Sequence, residues 1–156
     1  MIDRGSWKKP FYVVWAGQSV SLVGSSLVQF AIIWWLAKTA GSATVMSITT
    51  LVGLVPTIAL APLVGTLVDR WRRRLILIIS DVSIALFTFV LVLLFMLDLA
   101  EFWHVYLVLF FRALGAAFHE PAMLASTTLM VPKDRLSRIE GFNQIRMSIA
   151  HLSGLL

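Results

Sequence analysis

Residues 75–97 read LILIISDVSIALFTFVLVLLFML, 23 positions with a single charge at Asp81. Coiled as a helix, the run is about 34 Å long, slightly more than the roughly 30 Å hydrocarbon layer of a bilayer. Lipid offers no partner for an unpaired amide, so a single spanning segment must be a helix that satisfies its own backbone. The same pattern extends on both sides. No charge falls between Lys9 and Lys38, a gap of 28 residues, or between Lys38 and Asp69, a gap of 30. The 31 residues between Glu101 and Lys133 hold Arg112, His119 and Glu120. The sequence therefore predicts four transmembrane helices, near residues 11–36, 43–67, 75–97 and 103–129.

Composition agrees. The chain has 156 residues, 59% of them apolar and 13% charged, against about 25% charged in a soluble domain. A soluble fold of this size exposes too much surface to hide so many apolar side chains, and disorder needs a polar composition. With no cysteine, disulfides, thiolate metal sites and cysteine nucleophiles are excluded. His104, His119 and His151 lack metal-ligand spacing. A phosphate-binding glycine loop and a serine–histidine–aspartate arrangement are also missing from the sequence, so the expectation is no enzyme, no metal and no cofactor. The first apolar stretch is too long for the core of a cleavable signal peptide.

The hinges at 37–42 and 98–101 are short, which makes successive helices antiparallel hairpins. A fifth segment begins near Ile139. Its start, with Gly141, Asn143, Gln144 and Arg146, is polar on several sides and suits a helix lining protein or water. Only ten residues follow Arg146, too few to cross. The expected architecture is an all-α membrane bundle of four complete helices and the start of a fifth. A fragment or a truncated reading frame would end this way.

With the N-terminus placed in the cytoplasm, the inner side carries eleven Lys and Arg residues: Arg4, Lys8, Lys9, Arg70, Arg72, Arg73, Arg74, Lys133, Arg135, Arg138 and Arg146. The outer loops carry Lys38 alone. This bias sets orientation and predicts a cytoplasmic N-terminus in a cell (inner) membrane. Trp7, Phe11, Tyr12 and Trp71 then fall at the inner boundary, and Trp34, Trp35, Phe102, Trp103 and Tyr106 at the outer one, where aromatic rings prefer to sit. Topology and anionic lipid account for the net charge of +5, so no nucleic-acid partner is expected.

The loop between the second and third helices reads Gly65-Thr66-Leu67-Val68-Asp69-Arg70-Trp71-Arg72-Arg73-Arg74-Leu75-Ile76-Leu77. A glycine at a helix end permits close approach of a neighbour. Asp69 stands at the membrane boundary, where a carboxylate is costly unless paired, and the arginines are suited to bidentate pairing with it. Such ion pairs could break and reform as a latch, or the loop could serve as a plain positive-inside anchor. The stretch resembles the loop signature of the major facilitator superfamily, G-x-L-x-D-R-x-G-R-[KR]-x-x-[LI], at Gly65, Leu67, Asp69, Arg70, Arg73, Arg74 and Leu77. Arg72 replaces the glycine of the pattern. The resemblance implies that this loop gates the conformational cycle.

Helix four carries Arg112-Ala113-Leu114-Gly115-Ala116-Ala117-Phe118-His119-Glu120-Pro121-Ala122. This run resembles the macrolide-efflux branch of the superfamily, as do Trp15–Leu22 in helix one and Leu51–Pro56 in helix two. Gly115 follows the arginine by three residues rather than the commoner four. The resemblance runs from Trp7 to Leu156 and makes residues 1–156 a partial N-terminal six-helix domain, less than half of a twelve-helix transporter. It implies secondary active, proton-coupled export of a macrolide-like or other hydrophobic drug by alternating access. A siderophore or lysolipid exporter, or a non-transporting truncated fragment, would share these residues. The partners implied are the bilayer, a small hydrophobic substrate, protons and a missing C-terminal half.

Arg112 lies about 13 Å from the start of helix four, near the bilayer middle, where an arginine costs about 2.5–3.5 kcal/mol on a translocon scale unless it faces protein or water. His119 and Glu120, two turns on, broadly share its side. These residues either form a coupling or substrate-side charge network or brace helix packing, for example with Gln18 or Gln29. Asp81 is placed either to pair with the arginine cluster or to carry a proton. Gln18 and Gln29 are candidates to line a cavity. Gly17 and Gly115 are packing candidates, and Pro56, Pro62 and Pro121 are candidate hinges, although glycine and proline are common in membrane helices generally.

Overall fold

The computed structural model describes residues 8–132 and 135–153, apart from the side chains of Pro10, Asp69, Arg146, Ala150, His151 and Ser153. Arg4, Trp7 and Lys133 thus lie outside the described residues. Among those described, the regular structure is five α-helices: α1 Lys8–Ala40, α2 Ala43–Arg70, α3 Arg73–Met96, α4 Phe102–Met130 and α5 Leu136–Ser153. Four of them, α1 to α4, are long and apolar enough to cross a membrane. Their outward faces are apolar to an extent no water-soluble fold sustains, with Val20, Ile58 and Phe89 among the exposed side chains. The chain is a multi-pass membrane protein.

The helices outrun the apolar stretches that mark them. α1 continues to Ala40, α2 to Arg70, and α5 begins at Leu136 rather than Ile139. Polar residues at these ends continue the helix into the headgroup region, where water satisfies what the helix leaves open. Lys38 and Arg70 also sit in the last turns of α1 and α2, where a cation is favoured by the helix dipole. α2 runs unbroken through Pro56 and Pro62, and α4 through Pro121.

Three short links set the hairpins. Gly41 takes φ +55 after α1, with its N–H reaching the Ala37 carbonyl at 3.3 Å. Trp71 and Arg72 alone join α2 to α3, and Arg72 caps α3 at φ −68, ψ 106. That extended conformation is open to any residue, so arginine fits where the loop signature has glycine. After α3 the Asp98 N–H bonds the Phe95 carbonyl at 3.2 Å and the Leu99 N–H bonds Leu94 at 2.9 Å. This is a Schellman closure, in which Asp98, at φ 54, occupies the left-handed position that usually holds glycine.

The described residues form two compact units: one holds residues up to Trp34 and from Thr127 on, the other Trp35–Ser126. Helices α1 and α4 contribute to both. In the first unit, Phe11, Val131 and Ile139 are buried, with Trp15, Met130 and Leu136 packed against them. In the second, Val64 and Val68 of α2 meet Ile76 of α3 and Ala122 of α4. Val64 and Val68 are four residues apart and share a face. At the far end of this unit Trp35 packs edge-on against Phe95 and tilted against Phe102, with ring centroids 5.0 and 5.6 Å apart.

Candidate functional site

α3 and α4 are antiparallel, and successive turns along α3 meet successively earlier turns of α4. Near the loop end, the Arg73 Nη1 donates to the Ala125 carbonyl at 3.5 Å. Further in, His119 Nε2 lies 3.3 Å from Asp81 Oδ1. Next, Gly115 faces Ile84 and the Ser80 carbonyl, and then the rings of Phe87 and Phe111 stack with centroids 4.4 Å apart. Finally, Arg112 Nη1 donates to the Thr88 hydroxyl.

Among the described residues, two rungs between side chains therefore join the helices, Asp81 to His119 and Thr88 to Arg112. Both rungs advance by seven residues on each helix. A seven-residue repeat is two turns at about 3.5 residues per turn, the spacing that keeps side chains on one seam between two helices.

Gly115 lies between the rungs and sets the helix separation. A Cβ there would stand 2.9 Å from Ile84 Cγ1 and 3.4 Å from the Ser80 carbonyl oxygen. Ser80 is buried, so there is little room to yield. Arg112 is 7% exposed despite its charge. The Thr88 hydroxyl is oriented to receive it: its proton goes to the Ile84 carbonyl at 2.7 Å, which turns the oxygen lone pairs towards the guanidinium. Asp81 and His119 are half-buried, with side-chain exposures of 33% and 20%.

The other sequence candidates are placed as follows. Glu120 is exposed, as are Arg70 and Arg74, while Leu67 and Arg73 are half-buried. The Asp69 side chain, and with it the expected pairing to the arginines, lies outside the described residues. Gln18 and Gln29 are half-buried on α1 in the first unit. There the Trp15 indole N–H donates to Asn143 Oδ1 on α5 at 3.0 Å. Gly17 and Gly65 differ from Gly115 within this chain: a Cβ at either would meet nothing within 4 Å. Both sit on helix faces that no described neighbour covers, whereas Gly115 sits on a covered one.

Sequence reasoning passed over Thr88, Ile84 and Ser80. A signal was present for Thr88, which lies seven residues beyond Asp81, as His119 lies seven beyond Arg112.

Comparison with known proteins adds to this picture. The family model of the Major Facilitator Superfamily matches residues 14–156. The chain is 42% identical over 152 residues to a protein named Macrolide efflux protein A from Streptococcus pyogenes, covering 97% of this chain and 38% of that protein. It is 39% identical over 112 residues to a protein of the same name from Enterococcus faecalis, covering 72% of this chain and 34% of that one. The chain thus spans well under half the length of these curated relatives. No solved structure matches it at a significant level.

Proposed function

Because the chain belongs to the Major Facilitator Superfamily, we propose that it forms part of a secondary active transporter that exports a macrolide-like hydrophobic drug in exchange for protons. The observation that carries this reading is the pair of polar rungs inside two membrane-spanning helices. Ionisable groups are expensive in hydrocarbon, and their presence there points to an ion or substrate pathway. The names of the two efflux relatives support a drug as cargo.

The membrane is the cell's inner membrane and the N-terminus is cytoplasmic, on the strength of the Lys and Arg distribution. The α2–α3 loop serves as the conformational gate. The supporting contact is Arg73, which reaches the Ala125 carbonyl near the end of α4, where the helix dipole favours a cation. Gln18 and Gln29 face the substrate path, and Pro56, Pro62 and Pro121 are points at which α2 and α4 flex. Residues 1–156 are a partial N-terminal six-helix domain. Alternating access needs one bundle to rock against another, so these residues export nothing by themselves.

The test is accumulation of a radiolabelled macrolide in drug-sensitive cells producing the complete transporter that contains this chain. Lower accumulation, restored by a protonophore, is the expected result. Accumulation equal to that of empty cells would overturn the reading, and lowered accumulation indifferent to the protonophore would overturn the proton coupling.

A further inference from the structure

We propose that Asp81 and His119 together form one proton-binding site, the point at which the coupling proton enters and leaves, with Arg112 as the fixed charge beside it. This rests on the efflux reading above and assigns the proton a place. The two groups are of the right kind. An imidazole changes charge between about pH 5 and 8, and Asp81 Oδ1 stands 3.3 Å from its Nε2. Both side chains are half-buried, so the pair is neither sealed inside the helix packing nor fully open.

Uptake is a single transfer. A hydronium O–H bond breaks, an imidazole N–H bond forms, and a water molecule departs. The pair goes from one net negative charge to none, and release is the reverse. A pair with no net charge is more easily enclosed in an apolar setting than one with an unbalanced carboxylate. Proton occupancy therefore biases which arrangements of the surrounding helices can close over the site.

Other charges do not cancel this. Arg112 is seven residues away on α4, about 10.5 Å along the axis. Coulomb energies fall as the inverse of distance, so at one dielectric its repulsion of an imidazolium is about a third of the attraction from Asp81. On α3 the nearest charges are Arg74 and Arg73, seven and eight residues from Asp81, about 10–12 Å along that axis. On α4 Glu120 is adjacent in sequence but exposed, turned by about 100° from His119. On α2 the charges are Arg70, exposed at the helix end, and Asp69, whose side chain is outside the described residues. Arg112 stays charged throughout because guanidinium does not release its proton in proteins. It is thus a fixed reference charge rather than a carrier.

The test is ¹⁵N NMR of the histidine rings in the chain held in lipid nanodiscs, titrated with acid, with His119 assigned by its loss in His119→Asn. The expected result is that Asp81→Asn changes the acid titration of the His119 ring at least tenfold in proton affinity while Glu120→Gln changes it less than threefold. An Asp81→Asn change below threefold would overturn the proposal. Should the single variant fail to fold, the exchange Asp81→His with His119→Asp decides: a retained one-proton titration supports the site, and a flat one overturns it. The macrolide assay separates this site from the efflux reading. A titrating pair in a complete transporter that exports nothing counts against export, whereas proton-driven export surviving in Asp81→Asn counts against this pair.

Discussion

Gly115 on α4 presses against Ile84 on α3, where an added Cβ would stand 2.9 Å from Ile84 Cγ1. The contact lies midway between two polar rungs, so the spacing that suits a hydrogen at position 115 also brings Arg112 to Thr88 and His119 to Asp81.

Gly115→Ala should therefore destabilise the helix pair by about 1–3 kcal/mol, the usual cost of overpacking. Ile84 branches at Cβ and cannot swing its Cγ1 clear without leaving a favoured rotamer. Adding Ile84→Ala should return part of the loss, because it removes the obstructing atom. Thermal unfolding in detergent across the four members of this cycle measures the coupling. Strictly additive effects would show that the two positions do not touch.

Arg112→Ala should abolish export by the complete transporter while leaving its amount in the membrane unchanged. Arg112→Lys should also fail, since a point charge cannot reproduce the guanidinium fork. Thr88→Val keeps the volume and removes the acceptor. It should destabilise the protein by about 1.5–3 kcal/mol, the range for hydrogen bonds to charged groups. Export rates normalised to membrane content separate the two effects, and normal export by Arg112→Ala would sink the functional role.

Two links place residues in the left-handed region, and they should respond in opposite ways. Asp98→Gly removes a Cβ from φ 54 and should stabilise the protein by about 0.5–1 kcal/mol, the left-handed penalty being about 1–2 kcal/mol for a residue with a side chain. Gly41→Ala adds a Cβ at φ +55, where nothing lies within 4 Å, and should destabilise by about 1 kcal/mol through the backbone alone. Melting curves of both variants check the signs.

The chain has no cysteine, which makes its orientation straightforward to read. Thr39→Cys in the last turn of α1, which is exposed, should react with a membrane-impermeant maleimide added outside intact cells. Arg72→Cys in the α2–α3 link should react only after the cells are opened. The reverse pattern would invert the topology.

Each span is legible because an apolar run with at most two charges, long enough to cross lipid, has few other uses. The ends were less so, because Arg70 and Arg73 look like loop residues although helix continues through them into the headgroup layer. Asp81, Arg112 and His119 stood out as charged or titratable groups inside apolar runs. Their pairing did not, since it depends on how the Asp98 closure sets the register of α3 against α4. Thr88 was hidden for a different reason. A threonine in a helix ordinarily bonds the carbonyl four residues back, as Thr49 does, and only the neighbouring helix reveals a second role. Likewise, spacing alone cannot tell that Gly115 is covered while Gly17 and Gly65 are open, or that Trp15 meets Asn143 at 128 residues' remove.

The seven-residue recurrence on both helices has a mechanical consequence. Sliding α4 along α3 by one residue would part Arg112 from Thr88 and His119 from Asp81 at the same moment and drive a neighbouring side chain into the gap at Gly115. No smaller slip relieves one contact while sparing the other. Between the two rungs the helices therefore travel as one stiff beam, and bending is left to what lies beyond them: the flex point at Pro121 of α4, the two residues Trp71 and Arg72, and the turn at Asp98.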